Sequence, residues 1–178
     1  MAQFFTATGQ VVGFGERDFT VESVRLEDLT IHLSNINRFG GASRRFYSVL
    51  EHSLLVAGLV PPALRRMALL HDAAEAYLGD VVTPLKVHLP ALSSIEERFR
   101  STIFQALGVA PPTPEQVDAL HVADARAFGA EAFLFGPPGL WEALGSPRDA
   151  ESERLLQDIL ERSVESCREL FSQAFKTS

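Results

Sequence analysis

Cysteine is nearly missing from this 178-residue chain, with Cys167 the only one. That excludes an internal disulfide, a cysteine-built zinc site and a dithiol redox pair, and it fits a reducing, cytoplasmic setting. Long apolar runs are missing too: no stretch approaches the roughly 20 residues that a membrane span needs. The opening MAQFFTATGQVVGFGERDF lacks a basic flank followed by an apolar core, so the expectation is a protein neither exported nor membrane-embedded. Basic residues are in deficit, 16 Lys and Arg against 23 Asp and Glu, for a net charge of −7 and a pI near 5.2. Such a balance argues against a general affinity for nucleic-acid backbones, but leaves room for a small anionic substrate where cations cluster locally. Internal repeats and low-complexity tracts are absent.

What the chain does have is 46% hydrophobic residues, enough for one core at the length of one ordinary domain. Short β-prone runs around Gly9, over residues 3–14, predict a small hairpin. Helical patterns follow over 25–35, 49–60, 62–78, 94–107, 114–135 and 150–171. Pro61 and Pro62 separate the second from the third, Gly79 follows the third and Gly108 the fourth. Thr113 and Gln116 form a capping box for the fifth, Pro114 suits its first position, and GPPG at 136–139 stops it. Residues 136–149 read as a long surface loop carrying Trp141, to which no role is assigned. The sixth helix carries Leu156, Ile159, Leu160, Val164, Cys167, Leu170 and Phe171 on a broad stripe, which reads as core packing. The expected fold is an all-α, single-domain helical bundle over 1–178 with a small N-terminal β-hairpin.

The third helix is apolar nearly all round between Met67 and Leu78, except for His71, Asp72 and Glu75. Such a helix is normally buried, and at about 100° per residue the three ionisable groups share one face. Buried carboxylates require pairing, neutralisation or a metal ion. The second helix carries His52 near its start, and the short Pro61–Pro62 break makes the two helices antiparallel neighbours. His52 and His71 then both lie roughly 12–14 Å from the turn, level with each other. Asp124 sits among Val117, Leu120, Ala127 and Phe128 on what reads as a core-facing stripe of the fifth helix. Two histidines and two aspartates form a ligand set suited to one divalent ion, Mn²⁺, Co²⁺, Fe²⁺, Ni²⁺ or Zn²⁺, with Mg²⁺ a poorer match. Singly, each residue has a plainer reading: a core histidine bonded to a carbonyl, or Asp124 paired with Arg126. His32 and His88 take that plainer reading first, as does His121, which could also support Asp124 from three residues away.

With these positions assembled, the chain resembles the HD-domain phosphohydrolase superfamily, whose signature is a His, a His-Asp pair and a distant Asp: here His52, His71–Asp72 and Asp124. Closer similarity is to bacterial and phage HD proteins of 5′-deoxynucleotidase type, through NRFGG (37–41), YSVLEHS (47–53), HDAAEAYLGDVVTPLK (71–86) and VADARAFGAE (122–131), a match covering about residues 24–132. The resemblance implies an all-helical fold around one divalent metal and hydrolysis of nucleotide phosphate esters, most directly 5′-deoxynucleoside monophosphates. It implies Glu75 and Asp80 as catalytic acidic residues and places Arg38 and Phe39 beside the nucleotide. The aromatic position is often Trp in the characterised deoxynucleotidases and is Phe39 here, and GGASRR replaces a GGH-type turn. Lys86, Arg44 and Arg45 flank the motif as further candidate phosphate contacts, the last two equally readable as solvated charges. The alternatives are a dATP-type triphosphohydrolase, a two-metal site that recruits His88 or His121, and a non-catalytic nucleotide-binding module. A homodimer is the expected assembly if the chain associates.

Overall fold

In the computed structural model, which describes residues 3–137, 139 and 149–177, a single apolar helix runs through the centre and the others pack around it. That helix, α2 (Val49–Gly58), is buried from Val49 to Ala57. It starts at Ser48, whose side chain accepts from the Glu51 amide while the Glu51 carboxylate accepts from the Ser48 amide, a complete capping box. Against it lie α1 (Leu26–Asn35), the short α3 (Arg65–Leu69), α7 (Pro114–Phe135), α8 (Ala150–Leu160) and α9 (Val164–Thr177). Leu50, Leu55, Val56, Leu69, Leu156 and Phe171 have no exposed surface. Each such side chain stabilises the fold by about 1.5–3 kcal/mol relative to leaving it in water. The all-α class with a small N-terminal hairpin is as the sequence predicts. The hairpin pairs β1 (Gln3–Phe5) with β2 (Val11–Gly13), antiparallel, Phe4 opposite Val12. Its turn supplies the Thr8 amide and hydroxyl to the fully buried Asp28 carboxylate, both at 2.8 Å.

The expected 62–78 helix is in fact broken. After α3 the chain makes successive tight turns, Leu70 N to Met67 O, Ala73 N to Leu70 O and Glu75 N to Asp72 O, before one more helical turn, α4 (Glu75–Leu78). Within this break His71 Nδ1 lies 2.7 Å from the Ala68 carbonyl oxygen, which also accepts from the His71 amide at 3.4 Å. Gly79 follows at φ 79°, a conformation that favours glycine, and turns the chain into α5 (Thr83–Lys86). The fourth expected helix starts four residues earlier than the sequence reading, with Pro90 at its first position, and runs as α6 (Pro90–Ala106). The sixth divides into α8 and α9, because Ser163 caps a new start by accepting from the Ser166 amide at 3.1 Å. Helix α7 has the expected bounds, with its capping box and with Gly136 at its end. Most of the expected 136–149 loop, Trp141 included, lies outside the described residues. Among the described residues, no helix is long and apolar enough to cross a membrane.

Candidate metal centre

Three polypeptide segments bring their polar groups to one point: the first turns of α2, the tight turns after α3, and the middle of α7. His52 Nε2 lies 3.2 Å from His71 Nε2, 3.6 Å from Asp72 Oδ2 and 3.1 Å from Asp124 Oδ1, and His71 Nε2 is 3.2 Å from Asp72 Oδ2. His52, His71 and Asp72 form a group that could hold a metal ion, and Asp124 meets that group at His52. The break after α3 does not spoil the expected level placement of the histidines, since α2 and α3 still pack side by side. Asp124 corrects the sequence reading in one respect. Its side chain is 45% exposed and Phe128 is partly exposed, so this part of α7 faces a cleft instead of the core. Nor does Asp124 pair with Arg126, which binds Asp149 and Glu151 instead.

The outer nitrogens of the two imidazoles show why a cation suits this point. Glu131, fully buried on α7, sits with Oε1 2.6 Å from His52 Nδ1. It also accepts from Tyr47 Oη at 3.0 Å and from Arg38 Nη2 at 3.2 Å. A carboxylate so supplied with donors requires the proton on His52 Nδ1. The Ala68 carbonyl, which can only accept, requires the same of His71 Nδ1. In the neutral form of each ring, Nε2 then presents a lone pair toward the other imidazole and toward a carboxylate. A positive charge among them removes that repulsion, and a carboxylate or carbonyl behind each imidazole is the usual way to orient a metal-binding histidine. The electrostatics agree. Burial works against a charged imidazole, but the Asp72 carboxylate lifts His71 to about 9, and Glu131 raises His52 above its ordinary value. Asp72 is held well below the usual carboxylate range, its burial outweighed by His71. Asp124 and Glu131 are lowered as well, in each case against the effect of burial and largely by His52.

Beside this cluster opens a cleft of about 840 Å³, lined among others by Arg38, Phe39, Asp72, Glu75, Asp80, Lys86, Asp124 and Phe128. Arg38 is anchored by Glu131 and lies with Nη1 3.6 Å from Asp72 Oδ2. Phe39 occupies a left-handed conformation, φ 60°, uncommon for a residue with a side chain. Its ring lies 6.2 Å from that of Phe128, at 62°, and 5.1 Å from the Arg38 guanidinium. Glu75 is buried, one of its oxygens has no hydrogen-bond partner, and the other is 3.5 Å from Lys86 Nζ. Burial, with the charges of Asp72 and Asp80, pushes its carboxyl up to about 8. Lys86 is also paired with Glu96 at 3.0 Å.

Two candidates stand apart. Arg44 and Arg45 are exposed and line none of this cleft. Among the histidines, His121 lines the cleft and His88 is exposed. His32 is a satisfied structural histidine, with Nδ1 on the Ala76 carbonyl and Nε2 accepting from the Ala7 amide. Sequence reasoning missed Glu131, Tyr47 and Phe128. For Glu131 a signal was available: it lies seven residues, two helical turns, after Asp124, flanked by Ala130 and Ala132 in an otherwise apolar run.

No family model matches the chain. Among curated proteins it is similar to "Uncharacterized protein YfdR" of Escherichia coli (strain K12), 40% identical over 90 residues, 51% of each chain. It thus spans about half the length of that relative. It is also similar to "Uncharacterized protein RCAP_rcc00048" of Rhodobacter capsulatus, 30% identical over 149 residues. With 78% of its own length aligned and 71% of that relative covered, the chain belongs to the same family as the Rhodobacter capsulatus protein.

Proposed function

We propose that this protein is a metal-dependent phosphohydrolase of the HD superfamily, acting on nucleotides and most directly on 5′-deoxynucleoside monophosphates in the cytoplasm. The observation that carries the reading is the meeting of two imidazole Nε2 atoms and two aspartates at the wall of a nucleotide-sized cleft. His52, His71, Asp72 and Asp124 would hold one divalent ion, with Mn²⁺, Co²⁺, Fe²⁺, Ni²⁺ or Zn²⁺ suited to the mixed nitrogen and oxygen set and Mg²⁺ less so. Bound there, such an ion supplies Lewis acidity toward a phosphate oxygen and toward water.

The chain's own groups account for the rest. Arg38 and Lys86 bring charge-assisted donors to the cleft, where a phosphate dianion would otherwise meet Asp72, Glu75, Asp80 and Asp124. Phe39 and Phe128 offer apolar ring surface to the sugar and base. The Glu75 carboxylate, on the cleft wall beside Asp72, would accept a proton from the attacking water. The water oxygen bonds to phosphorus as the ester P–O bond breaks, and the departing 5′ oxygen takes a proton from solvent water in the open cleft, giving orthophosphate and a nucleoside. Asp80, on the same cleft, orients the water or the sugar hydroxyl.

The test is phosphate release from ribo- and deoxynucleoside mono-, di- and triphosphates, in EDTA and then with each metal, alongside variants lacking His71 or Asp72. Metal-dependent release of orthophosphate from deoxynucleoside monophosphates, lost in both variants, is the expected result. Tripolyphosphate from a triphosphate would move the chain to the dATP-type reading. Silence from a metal-loaded protein would leave a nucleotide-binding module in place of an enzyme.

A further inference from the structure

The proposed reaction needs an approach for water that the nucleotide does not block, because displacement at phosphorus sets the attacking and leaving oxygens on opposite sides. The cluster has two open sides. Besides the 840 Å³ cleft, a second cavity of about 230 Å³ opens between the turns after α3 and the first half of α6, with Ser93 and Glu96 on its far wall. The candidate ligands divide between them: Asp124 lines only the larger, His71 only the smaller, and Asp72 both. Glu75 and Lys86 also line both. The smaller cavity has space for several waters at roughly 30 Å³ each and falls short of the roughly 300 Å³ at which pockets for larger organic ligands begin. It is bounded mainly by polar side chains, and Asp72, Glu75 and Lys86 form the wall that it shares with the cleft.

We propose that the smaller cavity is the entry route for the attacking water, and that the larger cleft holds the nucleotide with its leaving 5′ oxygen. This rests on the hydrolase reading. Water reaching His71 and Asp72 from the α6 side meets phosphorus opposite the leaving group and passes Glu75 on the way. Its oxygen forms the new P–O bond, one of its protons goes to the Glu75 carboxylate, and the departing oxygen is protonated from the larger cleft. The cavity would admit water and the smallest alcohols and exclude larger nucleophiles.

The experiment narrows that route reversibly. Ser93 is exposed at the start of α6, and Cys167, the only native cysteine, is buried, so Ser93→Cys provides one accessible thiol. It is treated with methanethiosulfonates of increasing size, from methyl to benzyl, and then restored with a phosphine reductant. Each adduct is compared with the same unmodified variant. Turnover should fall in graded steps, by about tenfold for the largest adduct, with KM little changed, and return on reduction. Water-proton relaxation of the Mn²⁺-loaded variant, with a non-hydrolysable 5′-methylenephosphonate analogue of deoxyadenosine monophosphate in the larger cleft, should show slowed water exchange with the same ordering. Unchanged turnover and relaxation with the benzyl adduct would overturn the water route and leave the hydrolase reading standing. Absence of phosphate release from the unmodified protein with every metal would instead remove the hydrolase reading, and the water route with it.

Discussion

Helix α7 carries two charged clusters on opposite sides, and they differ in what surrounds them. Asp124 and Glu131, two turns apart, face His52, His71, Asp72 and Arg38. Arg126, about 200° around the helix from Asp124, binds Asp149 and Glu151 at the surface, where Asp149 also caps α8. Both clusters have close ion pairs. Solvent decides their worth: Arg126 and Glu151 keep a third to a half of their side chains in water, whereas Glu131 and His52 keep none. An exposed pair contributes little because water screens it and its side chains give up freedom to form it. A buried set survives only if every charge has partners, so its removal leaves others stranded. Ion pairs on one helix therefore divide into a fastening and a working site by their access to water.

Four changes sharpen that contrast. The largest effect is expected for Glu75→Gln, which should lower turnover by about 10²–10⁴-fold with metal content unchanged; steady-state rates and elemental analysis check both halves. Next is Glu131→Gln. Removing the charge behind His52 should weaken metal binding about 10–100-fold, measured by calorimetric titration with Mn²⁺, although Glu131 itself would touch no metal. Third is pH. His71, raised from 6.5 to about 9, holds a proton in the metal-free folded state that the unfolded chain has released, and Glu75, raised from 4.5 to about 8, acts in the same sense. The folded state binds more protons between about pH 4.5 and 9, so metal-free stability should begin to fall above about pH 4.5 through Glu75 and fall further from 6.5 toward 9 through His71. Melting temperatures taken without and with Mn²⁺ should show that fall in the first series and its reduction in the second. The smallest effect is Arg126→Ala, whose ion pairs should account for about 1 kcal/mol or less in urea unfolding, with metal affinity unaltered.

The parts of the fold that were legible in sequence were those with local punctuation. Helix α7 runs from Pro114 to Phe135 as read because Thr113, Gln116, Pro114 and Gly136 each fix a terminus by their own chemistry. The break after α3 has no glycine or proline to announce it. It shows as a run of tight backbone turns from Met67 to Glu75, with an imidazole on the Ala68 carbonyl, none of which periodicity reports. Likewise the division of α8 from α9 turns on a Ser163 cap inside a continuous apolar stripe. At the site, the meeting of His52, His71 and Asp72 was legible because ionisable residues on apolar segments need compensation, whereas Asp124 meets His52 from a stretch of α7 that faces a cleft. Glu131 was equally visible by that rule and was overlooked. Tyr47 and Phe128 were not visible, since an aromatic residue beside apolar neighbours looks the same whether it lines a core or a cleft.

The central claim is that His52, His71, Asp72 and Asp124 together hold one divalent ion. The most direct measurement is the metal content of the purified protein after Mn²⁺ loading and desalting, for the wild type and for His71→Ala and Asp124→Ala, each first shown by circular dichroism to be folded. About one ion per wild-type chain and a marked loss in each folded variant are expected. A wild type that retains no metal, or folded variants that retain it in full, would contradict the account.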